Sequence, residues 1–198
     1  MKKSEELIRK ELMSICHLVY LRGMVNGSGG NISVRMQDGM LITPTGRSLG
    51  QLRADDLVRV GLNGQFSGDV KPSKEVYLHL NCYEQREDVN AVVHVHSPYT
   101  VAASCLDNAD LDCVMPSFTP GYLARVNKLQ MIPYFKPGSL ELAKRVRSAI
   151  KFTNSVVLAN HGIVAVGKDL EGALNIAEEV EGNAKIYLLV GKRGKTLN

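Results

Sequence analysis

Ala91-Val92-Val93-His94-Val95-His96-Ser97 joins a β-branched apolar run to two histidines one residue apart. The run from Ala91 to Val95 has the length and composition of a buried strand. Alternate side chains of a strand share a face, so His94 and His96 point the same way. Two imidazoles at one strand end can chelate a single ion, and zinc favours nitrogen ligands. The pair alone is a weak signal, since many sheets contain two such histidines and no metal.

Further along, Ser155 to Ala159 and Ile163 to Val166 read as strands around Asn160-His161-Gly162. His161 sits at a sharp turn, where the glycine permits tight backbone geometry. It reads either as a hydrogen-bonded turn histidine or as a third ligand. Catalytic zinc sites typically use three protein ligands and keep a position open. Upstream, Lys71-Pro72-Ser73-Lys74-Glu75 precedes a helix expected from near Ser73 to about Gln85. Glu75 falls in its first turn, where the helix dipole favours negative charge. It is either a capping-turn residue or a carboxylate that ligates the metal or moves protons. His79, one turn later, reads as structural or as a support for a ligand, and His17 as an ordinary helix residue.

The flanking segments set the fold class. Ser4 to about Val25 reads as an amphipathic helix with Leu7, Ile8, Leu12, Ile15, Cys16, Val19 and Tyr20 on one stripe. Strands at Ile32 to Arg35 and Met40 to Thr43 flank an Asp38-Gly39 turn. Leu57 to Val60 and Gln65-Phe66 flank Asn63-Gly64 as a second hairpin. Helices are expected from Pro98 to Cys105, after Ser139 to about Ile150, and from about Leu170 to Val190. Met131-Ile132 is a short strand in a mixed region from Leu111 to Pro137. Short, hairpin-linked strands predict an α/β chain of the α+β type: one mostly antiparallel sheet flanked by helices in three layers. Residues 1–198 are expected to form one domain.

Three loops could cradle phosphate: Gly29-Gly30-Asn31, Thr45-Gly46 and Ser73-Lys74. Backbone N–H groups at glycine turns and helix starts bind anions, and hydroxyls with a lysine add to this. None matches a nucleotide-binding fingerprint. The net charge of +4 is scattered, with no basic run. That argues against nucleic acid and suits either a small anionic substrate or simple solubility. No apolar run is long enough to span a bilayer. The start of the chain lacks the pattern of a secretion signal, so the expected address is cytoplasmic. The four cysteines, Cys16, Cys82, Cys105 and Cys113, form no C-x-x-C pair and read as reduced and mostly buried.

In order, Gly29-Gly30-Asn31-Ile32-Ser33, Thr43-Pro44-Thr45-Gly46, Pro72-Ser73-Lys74-Glu75, His94-Val95-His96 and Asn160-His161-Gly162 resemble the class II aldolase/adducin family. The resemblance spans about residues 25 to 185. It implies zinc, or another divalent ion such as manganese, on His94, His96 and His161. Glu75 would be a fourth ligand at rest and the acid/base in turnover. Gly30, Asn31, Thr45, Gly46, Ser73 and Lys74 would hold the phosphate of a small sugar or sugar acid. It further implies a homotetramer with active sites between subunits.

Ser67-Gly68-Asp69, Thr45-Gly46-Arg47-Ser48-Leu49-Gly50, Phe118-Thr119-Pro120, Pro133-Tyr134, Pro137-Gly138 and Lys74 are similar to the branch that decarboxylates 3-oxo-tetronate 4-phosphates. The aldolase branch usually has serine at the position of Lys74. It also has a longer tail with a tyrosine used in catalysis, whereas this sequence reaches Asn198 soon after its last helix. Decarboxylation to dihydroxyacetone phosphate and carbon dioxide is therefore the expected reaction, with a divalent ion stabilising the enediolate. The alternatives are L-fuculose-1-phosphate-type aldol cleavage, 4-epimerisation of a pentulose phosphate, and a non-catalytic adducin-like interaction module. The sequence leaves open whether Arg47 and Arg125 meet an anion or only solvent.

Overall fold

Ala91–Val95 forms strand β4 at the centre of the sheet, as its apolar β-branched composition requires. The computed structural model describes residues 4–126 and 128–197. Among these, seven strands make one sheet: β1 (Asn31–Met36), β2 (Gly39–Ile42), β3 (Val58–Gly61), β4, β5 (Met131–Ile132), β6 (Ser155–Leu158) and β7 (Gly162–Gly167). Their spatial order is β3-β2-β1-β4-β7-β6-β5. Every neighbouring pair is antiparallel except β5 and β6, which are parallel.

Alternation along the central strands splits the core in two. Val93 and Val95 join Ile32, Ile163 and Ala165 on one face. Val92 joins Val164 and Val166 on the other. The first face is covered by α1 (Glu5–Leu21), α3 (Pro98–Ser104), α4 (Pro120–Arg125) and α6 (Leu170–Val190), through Leu12, Ala103, Tyr122 and Ala177 among others. The second is covered by α2 (Val76–Gln85) and α5 (Leu140–Ala149), through Leu78, Cys82, Leu142 and Val146. The three-layer α/β architecture is the one expected from the order of elements.

Several boundaries differ from the sequence expectation, for local reasons. Helix α1 stops at Leu21 rather than Val25, because Gly23 takes φ +68° and breaks the helical path. Its core contacts are Leu12, Cys16 and Val19, while Leu7 and Tyr20 are exposed. The second hairpin reduces to one bridge between Val60 and Phe66, since the Asn63-Gly64 turn carries no further ladder. Helix α4 falls inside the mixed region and starts at Thr119-Pro120, a cap followed by proline at the first helical position. Helix α2 begins at Val76, so Glu75 is its N-cap residue rather than part of its first turn. The cysteines are all free, with Cys16 and Cys82 buried but Cys105 exposed.

Gly162 is where sheet packing is tightest beside the histidines. A Cβ on it would lie 2.3 Å from the Val95 carbonyl oxygen across the β4–β7 pair. Gly162→Ala should therefore force the two central strands apart and lower stability by about 1–3 kcal/mol, an overpacking cost. Chemical denaturation of both proteins measures this, and an unchanged midpoint would refute the close approach.

Candidate metal centre

The centre is assembled by strand pairing. Asn31, at the start of β1, stands opposite His94 on β4, and His94 stands opposite Val164 on β7. This places the glycine turn before β1 against one side of the histidines and the β6–β7 turn against the other. His96 follows the end of β4. His161 occupies the β6–β7 turn, where Asn160 adopts φ 59° and the His161 N–H donates to the Leu158 carbonyl at 3.0 Å. The three rings pack with centroids 4.7 to 5.0 Å apart. Glu75 reaches them from the head of α2, and its carboxylate makes no cap to that helix.

His94 is fully buried, and its Nδ1 lies 2.9 Å from the Ile163 carbonyl oxygen. A carbonyl can only accept, so Nδ1 carries a proton. Its Nε2 faces Glu75 Oε2 at 3.0 Å and His96 Nε2 at 3.2 Å. Across the cluster, Glu75 Oε1 lies 3.9 Å from His161 Nε2. Oε1 is buried and makes no hydrogen bond, and His161 Nδ1 is in the same condition.

These contacts move the acid–base equilibria in opposite directions. Burial pushes the Glu75 carboxyl up, but the positive charge of His94 and hydrogen bonds from His94 and Asn31, with a smaller effect of His161, hold it well below the usual carboxylate range. Burial pushes His94 down, and the Glu75 charge, its hydrogen bond and the Ile163 carbonyl raise it above the ordinary imidazole value. His96 and His161 fall to about 3 and about 4, mainly through burial and then the positive charge of His94. Burial and the neighbouring charges thus favour an ionised Glu75 and neutral His96 and His161, while the Glu75 carboxylate favours the charged form of His94.

That donor set fits a divalent cation. One atom from each of Glu75, His94, His96 and His161 lies within 4.8 Å of the others. Ligands at 2.0–2.1 Å around a tetrahedral ion stand about 3.3–3.4 Å apart. The His94 Nε2–His96 Nε2 separation of 3.2 Å is close to that spacing, and Glu75 Oε1 stands 3.9 Å from His161 Nε2. A cation would also satisfy the orphaned Glu75 Oε1, which is costly to leave buried and unpaired.

The loops singled out in the sequence come to the same side of the fold. Thr45 N–H donates to the Lys71 carbonyl, and Ser73 N–H to that of Thr43, so the Thr45-Gly46 and Ser73-Lys74 segments run side by side. Gly46 and Lys74 are exposed, and Ser73 is buried with its Oγ accepting from the Glu75 N–H. Gly30 takes φ +75°, and a Cβ there would meet the His94 carbonyl oxygen at 2.9 Å. Asn31 is placed differently from a simple anion ligand. Its Nδ2 donates to Glu75 Oε2 at 2.9 Å, and its Oδ1 lies 2.5 Å from His79 Nε2. Arg47 pairs with the buried Asp56, and Arg125 lies 3.9 Å from Glu179.

Behind Asn31, Ser33 Oγ touches both His79 Nδ1 at 2.7 Å and the Tyr83 hydroxyl at 2.6 Å. Sequence reading did not find this group as a unit. Its signal was Asn31 and Ser33 on one strand face, opposite His79 and Tyr83 one helical turn apart.

Residues 10–188 match the Class II Aldolase and Adducin N-terminal domain. The chain belongs to the class II aldolase/adducin family. It is similar to the 3-oxo-tetronate 4-phosphate decarboxylase of Haemophilus influenzae, with 42% identity over 92% of this chain and 88% of that protein. It is also similar to an L-fuculose phosphate aldolase of Methanococcus maripaludis, with 42% identity over 90% of this chain and 94% of that one. The crystal structure of YgbL from Escherichia coli, described as a putative aldolase/epimerase/decarboxylase, superposes with a TM-score of 0.94. It is 36% identical and covers 99% of this chain and 96% of its own. The decarboxylase and the aldolase are carbon–carbon lyases by name, and the family fold is the one described above. No helix among the described residues is long and apolar enough to cross a membrane.

In metal-free protein, the raised His94 value stabilises the fold at low pH and is lost as pH rises through it. The lowered Glu75 value stabilises at high pH and is lost as pH falls through it. Glu75→Gln removes the charge that raises His94, so the His94 titration should move to lower pH. Imidazole NMR across a pH series reads this directly. An unmoved titration would remove Glu75 as the cause.

Proposed function

We propose that the protein is a zinc-dependent 3-oxo-tetronate 4-phosphate decarboxylase, releasing dihydroxyacetone phosphate and carbon dioxide. The observation that carries the reading is the buried Glu75–His94–His96–His161 cluster with an unpaired carboxylate oxygen. The named activity of the Haemophilus influenzae relative supports the choice of reaction. Three imidazole nitrogens and one carboxylate favour zinc over harder ions, with manganese the second choice. When bound, such an ion acts as a Lewis acid toward negative charge developing on the substrate oxygens.

The protein groups supply the rest. Loss of carbon dioxide leaves an electron pair on the carbon between the departing carboxylate and the ketone, and a proton must be delivered there. Glu75 is ionised, so it first accepts the proton of the hydroxyl on that carbon at Oε1, then returns it to the carbon. Solvent restores the hydroxyl proton, and the overall reaction consumes one proton as the carboxylate leaves. Ser73, Lys74, Thr45, Gly46, Gly30 and Asn31 line the region for the phosphate, with Lys74 supplying the positive charge and the glycine turns the backbone N–H groups. Asn31 itself fixes the place of the glycine turn, since its amide is occupied by Glu75 and His79.

Retro-aldol cleavage generates an electron pair in the same relation to the ketone. The Methanococcus maripaludis relative supports L-fuculose-1-phosphate-type cleavage as a second reading. We take the protein to act in the cytoplasm as a homotetramer with sites between subunits, to be checked by sedimentation. The exposed apolar Leu21, Tyr134 and Leu189 are compatible with burial in such an assembly.

Zinc-loaded protein should release carbon dioxide from the 3-oxo-tetronate 4-phosphate and form dihydroxyacetone phosphate. Absence of turnover together with cleavage of L-fuculose 1-phosphate would replace the first reading by the second. His94→Ala should lose bound zinc, measured by elemental analysis, along with activity; retention of both would defeat the centre. Glu75→Gln should stay folded and lose about 100-fold or more in kcat, and full activity would remove its role in proton transfer.

A further inference from the structure

The carboxylate of Glu75 has two oxygens in different circumstances. Oε2 receives hydrogen bonds and Oε1 receives none. The cause can be traced through five buried side chains: Tyr83, Ser33, His79, Asn31 and Glu75 are each at most 6% exposed. Water is thereby kept from substituting for any of their contacts.

An ionised carboxylate only accepts, so the Asn31 atom 2.9 Å from Glu75 Oε2 must be its NH2 group. Asn31 Oδ1 then faces His79 Nε2, which must donate. A fully buried imidazole favours its neutral form, so His79 Nδ1 is left as an acceptor. The Ser33 hydroxyl gives its one proton to that nitrogen, and the Tyr83 hydroxyl gives its proton to Ser33. Every hydrogen bond points toward Glu75. Rotating the Asn31 amide by half a turn would oppose two acceptors at Glu75 and two donors at His79.

We propose that His79 is a positioning residue whose Nε2–H locks the Asn31 amide so that Nδ2 holds Glu75 Oε2, reserving Oε1 for the metal and the travelling proton. The proposal rests on the role given to Glu75 above, and Asn31, Ser33 and Tyr83 act in it as a single directed chain. The ring nitrogens of His79 are taken up by Ser33 and Asn31, so it acts on Glu75 through Asn31. Outer partners of this kind typically govern 10–100-fold in metal affinity or activity.

The test compares His79→Gln with His79→Asn. A glutamine amide nitrogen can stand near the ring Nε2 and still donate to Asn31. An asparagine amide reaches only the Ser33 side. Both remove the same buried ring but asparagine is one methylene shorter, so the stability of each variant is measured by chemical denaturation and kcat and zinc affinity are compared on folded protein. We expect His79→Asn to lose about 10–100-fold in kcat and in zinc affinity measured by chelator competition, with KM unchanged. His79→Gln should recover most of both. Equal losses in the two variants would overturn the proposal.

The second readout needs no variant. Nitrogen-15 imidazole NMR of the wild-type zinc protein should show His79 as the Nε2–H tautomer, and an Nδ1–H tautomer would overturn the chain whether or not the variants fold. Failure of the wild-type protein to decarboxylate the acid substrate would defeat the functional reading alone. Tautomer and zinc competition are read without any substrate and still decide the role of His79.

Discussion

A carboxylate buried against three imidazoles is the constraint on which this structure turns. Neither partner could be placed there alone. An isolated carboxylate at 6% exposure would take up a proton, and an isolated His94 at 0% exposure would lose one. Held 3.0 Å apart, each favours the charged form of the other. The sheet fixes one side of this arrangement by placing His94 between β1 and β7. The head of α2 fixes the other by giving up its own side-chain cap and turning Glu75 inward. The tight glycines at 30 and 162 follow from the same demand, since both let neighbouring backbone approach β4 beside the histidines.

Much of this was legible in the sequence because it is carried by period and punctuation. The β-branched run at Ala91 to Val95 announces a central strand, and the one-residue spacing of His94 and His96 announces a shared face. Asn160-His161-Gly162 announces a turn, and the turn is there, with Asn160 in the left-handed region. The order of short strands and hairpins announces a largely antiparallel sheet between helical layers. Such features depend on a residue and its near neighbours, which a single sequence displays.

What was not legible depends on contacts between distant segments. Asn31 was read as part of an anion-binding turn, but its amide is spent on Glu75 and His79, 44 and 48 residues away. The partner of Arg47 is Asp56, which lies nine positions on with no pattern linking the two. The Gln65-Phe66 strand had the right composition and turn, yet only one bridge forms, because a hairpin arm needs packing as well as pattern. A start near Ser73 is too early for α2, which begins at Val76. The Ser73 hydroxyl does accept a backbone N–H, that of Glu75, but the helix begins only after the carboxylate has been turned into the core.

The division of labour at Glu75 bears on why one fold accommodates several carbon–carbon reactions. Decarboxylation and aldol cleavage differ in what departs, but both leave an electron pair beside a ketone. A centre of one carboxylate and three imidazoles answers to that shared charge and not to the departing group. Selectivity therefore has to come from groups that meet the rest of the substrate. In this chain the exposed Lys74 stands immediately before Glu75, on the segment that runs beside the Thr45-Gly46 loop. Its charge can alter which anionic substrate binds without touching the Asn31–His79 chain that orients the carboxylate. On the proposed reading, substrate choice would rest on the exposed Lys74 and proton handling on the buried Asn31–His79 pair, so a change at Lys74 need not disturb the orientation of Glu75.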